Sequence, residues 1–214
     1  MSGVSNTRQL KVHNSWGSLA MDPMRCFFAP AAAQDLLSFT KLFCLKPTLL
    51  CLLLFAAANC LAQSPEERLA KMNIVLNKPA EPIASYVHVV RVGNLFFLSG
   101  KGPQQPGGEY IKGKLGADLT IEQGYEAARL TAINQLAVLK GALGELSKVK
   151  RIVKVNGYVN STPEFFDHPK VINGFSDLMI EVFGEKGRHA RTSLGVAALP
   201  VNMAVEIEMI VEVE

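Results

Sequence analysis

Beyond residue 62 this chain has no cysteine and no tryptophan: Cys26, Cys44, Cys51, Cys60 and Trp16 all come earlier. The later part therefore holds no disulfide framework, no thiolate nucleophile and no cysteine metal site. It also lacks an excess of either charge. Residues 1–62 carry five basic residues (Arg8, Lys11, Arg25, Lys41, Lys46) and two acidic ones (Asp22, Asp35), which leaves 17 of each sign in the remainder. So balanced a body has no basic stripe to hold a phosphate backbone, and no nucleic-acid partner is expected. His88, His168 and His189 share no ligand spacing with one another, so no metal is expected. Gly113-Lys114-Leu115 has no hydroxyl after its lysine, which rules out a phosphate cradle and leaves no motif for a cofactor.

What is present divides into two parts. With 49% hydrophobic and 19% charged residues, 214 residues suffice for one well-packed domain and an appendage. Lys41 and Lys46 precede an apolar run over 49–62 of about 14 residues. That is the length of a signal-peptide core and short of the roughly 20 residues of a bilayer helix. Cys60-Leu61-Ala62 before Gln63-Ser64-Pro65 suits a signal peptidase. The expectation is an N-terminal extension over 1–62 with an export signal, a domain over 63–214, and a periplasmic or secreted product. An uncleaved leader would be the only membrane contact, and a start downstream of Met1 would leave the protein cytoplasmic.

In the domain, Ser64 and Glu67 form a capping box for a short helix bearing Leu69 and Met72. Two apolar runs over 86–92 and 95–99 flank Gly93-Asn94, a hairpin signal. Residues 100–116 carry six glycines and two prolines and must be a loop, with at most a short strand at Tyr110-Ile111. Thr120 and Gln123 cap a long helix whose Ala128, Ile133, Leu136, Leu139 and Leu143 recur at helical spacing as far as Gly144. A β-rich run follows over 149–159, then a helix with Pro169 in its first turn, Val171, Phe175, Leu178, Met179 and Val182 on one face, and Gly184 at its end. The order β-β-α-β-α-β-β implies an α/β (α+β) domain: a mixed sheet with two helices on one face. The other face would need a partner, so self-association is expected.

The candidate site lies over 189–208, H-A-R-T-S-L-G-V-A-A-L-P-V-N-M-A-V-E-I-E. It reads as two strands closed by a tight turn at Leu199-Pro200-Val201-Asn202. Met203, Val205, Ile207, Met209, Val211 and Val213 alternate with Ala204, Glu206, Glu208 and Glu212, interrupted only by Ile210, as in a strand packed on one side. Arg191 opens the first strand, and its planar guanidinium can take a carboxylate through two parallel bonds. Such a strand pair would present a fixed cation and an acid together. Arg191 has two readings: a ligand grip, or a structural ion pair to Glu206 or Glu208.

These residues resemble a known family. A-R-T-S-L-G-V-A-A-L-P followed by V-E-I-E is similar to the C-terminal signature of the RidA (YjgF-type) reactive intermediate deaminases, once called endoribonuclease L-PSP. Ala84-Ser85-Tyr86, Leu98-Ser99-Gly100 and Val171-Ile172-Asn173 resemble further family motifs in the right order. The resemblance spans about 82–213. It implies a chorismate-mutase-like fold, a homotrimer with sites between subunits, and hydrolysis of small 2-imino or 2-enamino acids to 2-oxo acids and ammonia. It places Arg191 on the arginine that grips the substrate carboxylate and Glu206 on the acid near the attacking water. Tyr86, Gly100 and Asn173 fall on pocket positions. Ser193 stands where the family often has cysteine, and could hydrogen-bond the substrate. Gly-Arg-His-Ala-Arg before the signature points to a branch of the family.

Hydrolysis of an imine asks mainly for orientation of an already electrophilic carbon against one water. Glu206 could move the proton if burial raised its pKa. His168, before a proline, reads as a helix-start residue; His189, two residues before Arg191, could line the site, with a surface position the first expectation. The competing expectation is a non-catalytic protein that binds small carboxylates, and the neutral body argues against a ribonuclease.

Overall fold

The computed structural model describes residues 63–214 apart from Ala80 and Ile83. The expected N-terminal extension and export signal fall on residues outside those described.

The elements are α1 (Pro65–Lys71), β1 (Val89–Val92), β2 (Leu95–Lys101), α2 (Ile121–Leu143), β3 (Val149–Asn160), α3 (His168–Phe183), β4 (Ala190–Val196) and β5 (Val205–Val213). Local chemistry accounts for the helix ends. Ser64 with Glu67, and Thr120 with Gln123, form reciprocal capping boxes at α1 and α2. Pro169 sits in the first turn of α3, and Gly184 closes that helix at φ 62°. The expected strand at 86–92 is shorter than its apolar run, starting at Val89, and Tyr110 makes only an isolated bridge to Gln104.

The five strands form one sheet in the order β1-β2-β5-β3-β4. All neighbours are antiparallel except β3 and β4, which run parallel with α3 as their crossover. This corrects the closing hairpin. β4 and β5 do not pair, because the twelve-residue β3 lies between them and uses both of its edges. The segment around Pro200–Asn202 is a 3₁₀ turn with Val201 and Asn202 at positive φ, and it carries the chain across the end of β3. Buried Asn160 holds that crossing, its amide donating to Asn202 Oδ1 at 2.9 Å and to the Met203 carbonyl at 3.2 Å.

Both long helices cover one sheet face. Val155 and Val159 of β3 and the alternate residues Val205, Ile207, Met209, Val211 and Val213 of β5 are buried there with Leu136, Leu139, Phe175, Leu178 and Met179 from the helices. The helices come very close at Gly174, where any side chain would strike the Tyr125 carbonyl of α2. The opposite, uncovered face carries Glu206, Glu208 and Glu212 beside an apolar strip of Val90, Val92, Phe97 and Ile210, which the register places on that side.

Candidate functional site

Which face each site residue occupies follows from the strand register. Residues directly opposite one another share a face, and successive residues alternate. Arg191 of β4 lies opposite Val155, whose side chain is buried under the helices. Glu206 of β5 lies opposite Tyr158, three residues further along an unbroken stretch of β3. Arg191 therefore belongs to the helix-covered side and Glu206 to the open side. Within one subunit the cation and the acid are not presented together, which corrects the expectation drawn from a strand pair.

On the covered side, Arg191 Nη1 donates to Asn173 Oδ1 at 2.9 Å and to Ser176 Oγ at 3.0 Å. Asn173 and Ser176 are three residues apart, so they stand on the same flank of α3. Ser176 Oγ lies 3.0 Å from His189 Nε2, and His189 Nδ1 lies 2.7 Å from the Gly187 carbonyl. Arg191 forms no ion pair among the described residues. The structural ion-pair reading fails: Glu206 is on the other face, and Glu208 accepts from Asn156 at 2.9 Å and Tyr158 at 3.3 Å. Ser193, two residues along β4, keeps a buried hydroxyl with no hydrogen-bond partner among the described residues. His189 is mostly buried in this cluster, contrary to the surface reading. Burial lowers its pKa, and the Arg191 charge lowers it further against the bond to Gly187.

On the open side the Glu206 carboxylate lies over Gly100. A Cβ at that position would collide with the carboxylate as it stands, so glycine lets it lie there undisturbed. A bulge between Leu98 and Lys101 turns Gly100 to this face. Beside the bulge, buried Gln135 of α2 donates to the carbonyls of Ser99 and Ile207, at 2.9 and 2.8 Å. Burial raises the pKa of Glu206, and the neighbouring Glu208 charge adds to the effect.

Tyr86 stands apart from both groups. It precedes β1, while Arg191 is on β4 at the other sheet edge. Four strand spacings of about 4.8 Å put those edges roughly 19 Å apart. Tyr86 is 48% exposed and lines a cleft of about 530 Å³ with His88, Lys101, Gln104, Tyr110 and Asn134. Lys101 Nζ donates to His88 Nδ1 at 2.8 Å, and burial lowers the lysine pKa. Much of one cleft wall is the glycine-rich loop after β2. Sequence reasoning missed Ser176, which helical spacing from Asn173 could have found, and Lys101, which no spacing signals.

No group of three or more His, Cys, Asp or Glu among the described residues could hold a metal ion, and no described helix is long and apolar enough to cross a membrane.

Fold and site together define an α+β domain of one mixed five-stranded sheet, two covering helices, and polar clusters at the strand edges. Residues 66–213 match the family described as "YjgF/chorismate_mutase-like, putative endoribonuclease", and the chain belongs to that family. It is 44% identical to Protein TCP17 of Trypanosoma cruzi, over 67% of this chain and 91% of that protein. It is 33% identical to a 2-iminobutanoate/2-iminopropanoate deaminase of Dermatophagoides farinae, over 63% of this chain and 90% of the relative. Among solved structures it is similar to Atu1372 of Agrobacterium tumefaciens, a protein of unknown function, with a TM-score of 0.66 at 43% identity, covering 70% of this chain and 92% of the other.

Proposed function

We propose that this protein hydrolyses small 2-imino or 2-enamino acids to 2-oxo acids and ammonia, at sites completed where subunits of a homotrimer meet. The observation that carries the reading is Arg191. Its Nη1 is occupied by two neutral oxygens, and its Nε and Nη2 edge has no partner among the described residues. That edge offers two parallel N–H groups, the geometry that takes a carboxylate through both oxygens. Family membership and the deaminase relative support the same substrate class.

With the carboxylate held, an enamine first takes a proton on carbon to become the imine. Water then adds its oxygen to the imine carbon, one water proton leaves, and the nitrogen gains one. The resulting carbinolamine collapses to a carbonyl and expels ammonia. Glu206 suits both proton steps, because a carboxyl whose pKa burial has raised can hold a proton nearer neutrality. Since Arg191 and Glu206 occupy opposite faces of one sheet, the acid that serves a given Arg191 comes from a second copy. Covering the strip of Val90, Val92, Phe97 and Ile210 with another sheet would bury apolar surface and bring copies together.

The test is ammonia release from 2-aminoacrylate generated enzymatically in the assay. Wild-type protein should accelerate release, and Arg191→Ala should do so far less. Equal rates for both, at background, sink the proposal.

A second reading, carboxylate binding without turnover, is favoured by the separation of Arg191 from Glu206 in the single subunit. Calorimetry then shows pyruvate binding that Arg191→Ala abolishes, while deamination stays at background. The export signal belongs to the same proposal, and sequencing the mature N-terminus tests it: a start after residue 62 is expected.

A further inference from the structure

Arg191 is held by more than its direct partners. We propose that Ser176 and His189 form a positioning relay, a one-way chain of hydrogen bonds that fixes the guanidinium with its Nε and Nη2 edge turned to the ligand. The inference rests on the reading above, in which that edge grips a carboxylate.

The direction of each bond follows from what the atoms can do. The Gly187 carbonyl only accepts, so the proton of His189 is on Nδ1 (2.7 Å). A neutral imidazole then has a lone pair at Nε2, and the Ser176 hydroxyl, 3.0 Å away, donates into it. With its proton committed, the serine oxygen can only accept on the remaining side, where Arg191 Nη1 stands at 3.0 Å. Guanidinium N–H groups only donate. The order is Arg191 to Ser176 to His189 to Gly187, with no reversible link. The last member is fixed, since Gly187 packs so tightly on α3 that a Cβ there would strike the Met179 carbonyl.

Protonation of His189 breaks the chain. Nε2 would then donate to Ser176, setting two cations on one hydroxyl oxygen and leaving the hydroxyl proton without its acceptor. Among the described residues no carboxylate forms an ion pair with His189 or Arg191. On β4 the charged neighbour is Arg191; α3 gives Asn173 and Ser176 to the cluster, while its Asp177 accepts from Tyr125 and its Glu181 pairs with Arg129. On the preceding turn Arg188 is paired with Glu185, and Lys186 donates to the Val149 carbonyl. On β3 Lys154 is turned to Thr192. Burial and the Arg191 charge keep the imidazole neutral to lower pH than usual. The histidine of the Gly-Arg-His-Ala-Arg stretch thereby gains a task beside the arginine.

Two measurements on the full-length protein test the relay. Long-range ¹H–¹⁵N correlation of the imidazole, which needs no ligand, should show the neutral Nδ1–H tautomer at pH 7. The Nε2–H tautomer or a charged ring overturns the relay. Pyruvate affinity by calorimetry should fall about tenfold in Ser176→Ala and His189→Ala, with unfolding midpoints close to wild type. His189→Gln, whose side-chain carbonyl can accept from Ser176, should restore affinity and abolish its decline at acid pH. Unchanged affinity in Ser176→Ala, or no rescue by His189→Gln, also overturns the relay. The expected tautomer with no pyruvate binding or turnover by wild type instead places the failure in the proposed function.

Discussion

The two faces of the sheet differ in what they ask of their residues. The helix-covered face is apolar along the strands, with polar contacts where Gln135 of α2 answers two strand carbonyls and where α3 supplies oxygens to Arg191 at the β4 edge. The open face alternates acids with scattered apolar side chains and has no helix to answer them. Its Glu206 is half-buried, its pKa raised by desolvation first and Glu208 second. One face stabilises the fold and carries a charge that its neighbours hold in place. The other holds a charge it cannot fully solvate, a condition that suits proton transfer and self-association better than stability.

Breaking the covered face should have the largest effect. Phe175→Ala removes a fully buried ring between helix and sheet and should cost about 3–5 kcal/mol in urea unfolding. Phe97→Ala on the open face, 40% exposed, should leave unfolding within about 1 kcal/mol while sedimentation shows weaker self-association. Equal losses in the two variants would erase the distinction between the faces.

Next in size is Arg191→Ala. Loss of a charge-assisted grip on the substrate should lower kcat/KM by about 10–100-fold or more, equivalent to roughly 1.5–3 kcal/mol, with little change in stability. Gly100→Ala tests the open-face half. A methyl group there meets the Glu206 carboxylate, so activity should fall while the flexible end of the glutamate absorbs most of the strain.

The smallest effect concerns pH, and its sign is informative. A carboxyl with a raised pKa favours the protonated folded form, so its stabilising contribution is present below the unfolded pKa and lost as pH rises through the folded one. Wild type at neutral pH therefore bears a desolvated charge that Glu206→Gln lacks. The variant should be slightly the more stable at pH 7, with the advantage fading below the usual carboxylate range, and it should lose deaminase activity. In wild type the acid limb of the rate should lie above that range. A Glu206→Gln protein less stable than wild type at pH 7 would show the charge to be well paired in the assembly.

Several parts of this architecture were legible from local chemistry. Both capping boxes, the Gly184 stop and the alternation from Val205 to Val213 depend on neighbours within a few residues, and all appear as read. The neighbour of β4 was not legible. An apolar strand followed by a turn looks the same whether the next strand pairs with it or steps across a third, and only the pairing of β3 with both shows which. Among site residues, resemblance joined Arg191 with Asn173, and the structure brings them within a hydrogen bond. It also aligned Tyr86 and Glu206 with them, but the single subunit holds these at another edge and on another face.

The chain itself determined its elements, their order, their caps and the family to which it belongs, because periodicity, capping and motif are written within short stretches. Tertiary structure alone decided that β3 separates β4 from β5, that Arg191 and Glu206 face opposite ways, and that Ser176 and His189 meet beside the arginine. Strand pairing over tens of residues depends on which surfaces can be buried together, and one-residue register sets the face of every side chain.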